Sequence, residues 1–365
     1  MRRFAFMTIL CLLCLNVGCK DDGTEPPPTP KNPREYTWTE DTLAYPGSFQ
    51  TNMRDIWGSA PNNVYVVGHN DQNRGLMWRF DGQRWTDVKL SVTQGGTIVG
   101  AIDLAAIFGF TSSDVWAVGE HSYANPNPPP NFLDSSLVIR FDGTQWREFR
   151  TPGGRLLQSV WGSSPNDVWF GGVDATLLHF DGVRIQKDSI DLGFLPDSTW
   201  EAQITSITGS TSDDVYLLVS AAPRDTLRIF RYLLQRNGTS WNLIANWMAE
   251  EVWEVWKSPW GRLIGVGSGG VFEQRSQSWS NVLTGLAAFG ITATGERNTF
   301  VVGYSGVNGI SAEAYHYNGT DWFHYPSLQL RNVIYYAVWA TETDVFAVGQ
   351  TFDLTPQRTI VVHGR

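Results

Sequence analysis

The sequence predicts an all-β fold: a seven-bladed β-propeller of four-stranded antiparallel blades, with an N-terminal strand closing the last blade. Three observations predict it. A phrase built on Ile/Val-Trp-Gly recurs along the chain, in part degraded. A second phrase, Asp-Gly or Asn-Gly, then two residues and Trp, trails most copies of the first. The composition, 36 Gly and 17 Trp in 365 residues with 17% charged, suits many short strands joined by tight turns.

The first phrase is clearest at Ile56-Trp57-Gly58-Ser59-Ala60-Pro61-Asn62-Asn63-Val64-Tyr65-Val66-Val67-Gly68. Further copies open at Ile107, Val160, Ile207, Val255, Ile291 and Val338, spaced by 51, 53, 47, 48, 36 and 47 residues. That is the period of a propeller blade. The second phrase stands at Asp81-Gly82, Asp142-Gly143, Asn237-Gly238 and Asn318-Gly319, each leading to Trp; Asp181-Gly182 keeps the turn without it. Such dipeptides between apolar runs are hairpin signals, because Gly and Asn tolerate positive φ. Each unit therefore reads as strand a with Trp-Gly, a turn, an apolar strand b such as residues 64–67, strand c ending at Asp-Gly, and strand d opening with Trp. A strand apolar on both faces is one sandwiched between sheets.

The last unit ends after strand c at residues 359–365. Residues 36–43, Tyr-Thr-Trp-Thr-Glu-Asp-Thr-Leu, match the missing Trp strand and stand before blade one. They are expected to complete blade seven, which removes the sheet edges of an open array. The unit resembles kelch-like and related bacterial propeller repeats over about residues 36–365. The resemblance implies the fold and little about function, since propellers host many activities.

The remaining residues divide into a leader, 1–18, and a tether, 19–35. Arg2-Arg3 precede an apolar run at 4–15, shorter than a membrane span, and then Asn16-Val17-Gly18-Cys19. This arrangement resembles a bacterial lipoprotein signal, with Asn16 where that family has Leu. The resemblance implies that Cys19 becomes the lipidated N-terminus. Lys20-Asp21-Asp22 resembles the surface-export signal of Bacteroidetes lipoproteins, which implies an outer-membrane, surface-exposed protein. Residues 23–33 hold five prolines and read as an extended spacer. The three cysteines, Cys11, Cys14 and Cys19, leave none for the folded part, so disulfides, thiolate metal sites and cysteine nucleophiles are not expected there. The formal charge of −9 falls further when Arg2 and Arg3 are removed. Nucleic-acid binding is excluded on that ground, and membrane attachment rests on the lipid.

Most conspicuous residues read as structural. Twelve tryptophans sit at repeat positions and are expected between blades. Trp200 and Trp247 fall in expected connecting segments and are candidate ligand contacts. Asp114, Asp167, Asp214 and Asp344 precede strand b and are expected to bond their own backbone two residues on. His179 and His316 share a strand-c position with Arg79 and Arg140, a repeated polar face. The long segments 120–136, 303–312, 90–105 and 188–206 all belong to b–c loops or d–a crossovers, at one end of the disc. Variable loops on a rigid scaffold are where function usually resides. Candidate ligand-binding residues on that face are His69, Glu120, His121, Tyr123 and Tyr304. Arg54, Asp55, Glu251 and Glu254, just before strand a, are expected to rim the channel.

No catalytic, metal or cofactor constellation emerges. The expected function is a non-catalytic binding module for a glycan or protein. The alternatives are a scaffold in an envelope complex and, third, a polysaccharide-active enzyme using paired acids.

Overall fold

A computed structural model describes residues 31–365, apart from 225–227, 249–251, 277, 307–308 and 353. The leader, Cys19, Lys20-Asp21-Asp22, the tether up to residue 30 and Glu251 lie outside the described residues. Seven four-stranded antiparallel sheets form the blades. Their innermost strands are Thr51–Ala60, Ala101–Thr111, Leu157–Ser164, Trp200–Thr211, Glu254–Lys257, Ala287–Gly295 and Val333–Ala340. The cores lie between blades: Tyr65 and Val67 of blade one pack with Leu104, Ile107, Val115 and Ile139 of blade two.

The Trp-Gly phrase has a steric cause. The indole of Trp57 abuts Gly109 in the next blade, Trp161 abuts Gly209, and Trp339 abuts Gly58; a Cβ on any of these glycines would overlap the ring. Where blade four has Thr208 in place of Trp, blade five carries Lys257 instead of Gly. The Lys257 backbone N–H donates to Thr208 Oγ1 at 2.8 Å.

The acids before strand b do something other than expected. Asp114 accepts from Arg140 Nε at 2.6 Å, and that guanidinium lies over Trp116 at 4.6 Å. Asp167 holds His179 at 2.6 Å, which stacks on Trp169 at 4.0 Å; Asp344 holds His363 at 2.7 Å, stacked on Phe346 at 3.9 Å. Asp214 meets Gln235 at 3.3 Å. The contact is thus across strands, to the polar strand-c residue, and not to local backbone. In blades one and six the acid is replaced by Asn63, bonded to Arg79 at 2.7 Å, and Asn298, bonded to His316 at 2.8 Å. Blade five inverts the charges: Arg262 stands before strand b and donates to Glu273 on strand c at 2.6 Å. Backbone capping belongs to the Asp-Gly turns instead. There Asp142 accepts from the Thr144 and Gln145 N–H groups at 2.9 and 3.0 Å, and Gly143 has φ of 91°. The Thr144 hydroxyl, which also donates to Asp142, and these two amides hold its carboxyl well below the usual carboxylate range.

The ring closes as the repeat count requires. Trp38–Leu43 pairs antiparallel with Thr359–Gly364, from Trp38 opposite Gly364 to Leu43 opposite Thr359. The latch begins earlier than residue 36: Arg34 pairs with Asp321 at 3.1 Å, and Tyr325 Oη donates to the Pro33 carbonyl at 3.0 Å. Tyr36 is buried against blades six and seven.

The long segments are partly strand. Segment 120–136 is a continuation of strands Asp114–Ala124 and Phe132–Phe141, paired out to Ala124 opposite Phe132, so only 125–131 is loop. It is a two-stranded flap. Strand a of blade two begins at Ala101 and that of blade four at Trp200, which shortens both crossovers from the expected lengths.

Deleting residues 33–43 is expected to lower the melting midpoint by at least about 10 °C or to prevent folding; an unchanged midpoint would refute closure. Glu273 also accepts from Arg275 at 3.0 Å, so Glu273→Arg should cost about 2–3 kcal/mol by setting a cation against both Arg262 and Arg275. Adding Arg262→Glu should recover part of that loss, measured by denaturant unfolding.

Candidate functional site

The channel mouth is built by one recurring irregularity. In six blades strand a carries a bulge near its start, between residues such as Met53 and Asp55. The bulge presses backbone against the end of strand b. At Gly68 a Cβ would overlap the Asn52 carbonyl, and at Gly119 the Asp103 carbonyl. The Val-Gly ending of strand b is therefore the imprint of the bulge.

The bulged residues point the chemistry of the mouth. They are Arg54, Ala105, Gln158, Thr205, Phe289 and Tyr336, with Trp253 at the matching place in blade five. All seven line one cavity of about 500 Å³. They divide it unevenly. On one side, Trp253 and Phe289 lie 4.5 Å apart, Phe289 and Tyr336 5.2 Å apart, and Tyr304 stacks behind Phe289 at 5.9 Å. The Tyr336 hydroxyl accepts from Gln350 at 3.0 Å. On the other side stand the small or polar Ala105, Gln158 and Thr205. Arg54 joins the two arcs: its guanidinium is 3.8 Å from Asp103, which also lies 3.3 Å from His69 Nδ1. Glu120 stands opposite Asp103 in the sheet, and burial with the charges of Asp134 and Asp103 raises its carboxyl above the ordinary value.

Deeper in the channel, side chains tie three of the blades to the next. Asp55 accepts from its own Ile56 N–H and from Ile107 N–H of blade two, both at 2.8 Å. Ser159 accepts from Ile207 at 2.8 Å, and Ser206 donates to the Val255 carbonyl at 3.1 Å. Burial pushes the Asp55 carboxyl up to about 6 in spite of its two amide bonds. Glu254, the equivalent residue of blade five, makes no hydrogen bond among the described residues. Enclosure and the Asp55 charge push its carboxyl up to about 8.

The expected site residues are sorted by this geometry. Arg54, Asp55 and Glu254 line the mouth and channel. His69 and Glu120 approach it through Asp103, and Tyr304 backs the aromatic arc. His121 and Tyr123 lie on the flap, with His121 3.9 Å from Glu148 and edge-on to Tyr123 at 5.7 Å. Trp200 and Trp247 are not loop residues. Trp200 opens strand a of blade four and packs on Phe230 at 5.1 Å, while Trp247 lies in the outer strand Ser240–Met248. Trp200 does not line the mouth. The residues missed were Trp253, Phe289, Tyr336, Gln158, Thr205 and Asp103. All but Asp103 stand two places before a phrase opening, a column visible in the sequence once its seven members are compared. Among the described residues no group of three or more His, Cys, Asp or Glu is placed to hold a metal ion.

The same face carries much of the exposed apolar surface. Phe49, Val99, Phe132, Tyr123 and Leu354 all occupy its loops or flap, the first three about two-thirds exposed (66%, 65% and 64%).

No family model and no curated protein matches the sequence. Solved structures match in fold. A structure of YCF48 bound to D1 peptide aligns with a TM-score of 0.58 and 14% identity, over 91% of this chain and 97% of that one. The extracellular domain described as part of a hybrid two component system, BT4673 from B. thetaiotaomicron, aligns at 0.57 and 11% identity, over 89% and 39%. A PL25 ulvan lyase bound to GlcA(1-4)Rha3S units aligns at 0.51 and 9% identity, over 87% and 95%. At these identities the likeness is one of fold, and the neighbours include binding and catalytic propellers alike.

A carboxyl with a raised folded-state pKa binds its proton more tightly in the native chain than in the unfolded one. Stability from Glu254 therefore falls as pH rises from about 4.5 to about 8. Glu254→Gln should match the parent midpoint near pH 5 and exceed it by about 2 °C or more near pH 8.5, in a thermal melt at both pH values.

Proposed function

We propose that this propeller is a lipid-anchored, non-catalytic binding module of the bacterial cell surface. It takes a glycan or a protein ligand on the face where the b–c loops and d–a crossovers surround the channel mouth. The observation that carries this reading is the unequal division of the mouth. Seven structurally equivalent positions are filled by three aromatics, one arginine and three small or polar residues, which a purely structural ring does not require. Aromatic faces with a few convergent polar groups are the ordinary make-up of a ligand site. The flap and the exposed apolar side chains enlarge the same face. Propellers of like fold hold a peptide in one solved complex and a glycan in another, so the scaffold is compatible with either class.

The non-catalytic reading is supported by the bonding of Asp55. Both its oxygens are engaged by backbone amides, so of the two carboxyls that line the cavity only Glu254 is free for acid–base work. The anchoring is read from Cys19 and the residues around it.

Two outcomes are expected. Cys19→Ser should release the protein from the membrane fraction of expressing cells, seen by fractionation and by loss of labelled palmitate. A thermal-shift panel of glycans and envelope or host proteins should find a ligand that raises the midpoint by mass action and yields no reaction product. That shift should vanish in Trp253→Ala and weaken when residues 121–135 are replaced by a two-residue turn. Products in the mixture, or a shift unaltered in both variants, would overturn the proposal.

A further inference from the structure

We propose that the channel mouth binds an alkylammonium or guanidinium group, the side chain of a lysine or arginine on a protein partner, seated against the aromatic arc and paired with Glu254. The inference rests on the mouth being the binding surface, and it names the chemistry that surface selects.

The cavity has the volume for such a group, at about 500 Å³, and its walls are complementary to one. Trp253, Phe289 and Tyr336 are in contact in sequence along one side. The faces of such rings attract cations through their quadrupole, most strongly where water is excluded. Glu254 lies beside them in the wall without a hydrogen-bond partner among the described residues. Of its equivalents, Asp55, Ser159 and Ser206 bond backbone in or beside the next blade and Ala106, Gly290 and Ala337 have no polar side chain, so Glu254 is the polar member without such a bond. A channel-lining carboxyl with no protein partner is open to pairing with a cationic ligand. An anionic ligand meets Asp55 and Glu254 inside the cavity, with Asp103 and Glu120 at the rim. Arg54 is the cation that lines the wall, and it is turned to Asp103.

A protein is favoured as the source of the cation by the surroundings of the mouth. Phe49, Val99 and Phe132 are largely exposed on the same face, a pattern suited to a protein surface.

Pairing requires Glu254 to give up the proton it holds to about pH 8, so binding should strengthen as pH rises from 6 to 8.5. The other charged or titratable groups lining the cavity are Arg54, Asp55 and Tyr336. Asp55 is already ionised over most of that range, and burial keeps the Tyr336 phenol neutral.

The full chain is titrated by calorimetry with three nine-residue peptides, alike except for a central lysine, norleucine or glutamate, and with a glucosamine hexamer. The lysine peptide is expected to bind at least tenfold more tightly than the norleucine peptide. Glu254→Gln and Trp253→Ala should each weaken it at least tenfold, while Glu296→Gln, exposed at a turn on the opposite face, should not. Melting midpoints at pH 6 serve as the folding control. Equal binding of the lysine and norleucine peptides, or unchanged binding in Glu254→Gln, overturns the cation assignment; if Trp253→Ala still abolishes that binding, the mouth survives as the binding surface. Tighter binding of the glucosamine hexamer than of the lysine peptide overturns the protein source. No binding by any probe overturns the cation site, and the panel on the flap and mouth variants then decides the broader reading separately.

Discussion

The mouth of this propeller depends on a backbone contact that a side chain would prevent. In most blades strand a gains a residue, and the extra backbone bears on the end of strand b, where glycine leaves room for it. A bulge is the cheapest way to aim one side chain out of a sheet's regular alternation. Repeated around a ring, it yields a set of inward positions that are geometrically fixed but free in identity. Blade four departs, with Val219 at the glycine position, yet keeps its bulge at Thr205. The scaffold therefore separates two demands. Glycine and the apolar opener satisfy the fold, and the bulged residue is left to chemistry.

The strand-b acids show a comparable separation in the core. Their partners differ between blades: arginine, histidine, glutamine, and in blade five a glutamate facing an arginine. What persists is a polar pair laid over a strand-b side chain, aromatic in six blades and Ile264 in the seventh. A half-buried carboxylate is tolerable only when it is paired. The repeat thus prescribes complementarity and not residue type, which explains how its wording decays while its shape holds.

The repeat made much of the architecture legible. Phrase spacing gave blade number, and an unpaired Trp strand before blade one predicted the closure. The site was less legible, for physical reasons. Asp55 and Glu254 were readable because strand a must start at the channel. Phe289 and Tyr336 were not, because a bulge shifts the period-two alternation, and Trp253 was not, because a lone aromatic beside an apolar opener looks like core. The partners of Asp114 and Asp167 were missed because a turn position suggests local bonding, whereas the strand-c residue reaches them only after the hairpin has folded. Trp200 and Trp247 were misplaced because strands a and d of blade four extend past the repeat's average length.

The latch has a mechanical consequence. Any pull transmitted from the segment before residue 33 enters the disc through Arg34, held by Asp321, and through the Pro33 carbonyl, held by Tyr325. Both contacts fall on blade six, outside the strand that closes the ring. Tension from that segment meets the neighbouring blade before it meets the Trp38–Leu43 ladder. Blade six thus carries a strain relief for the strand that closes the ring.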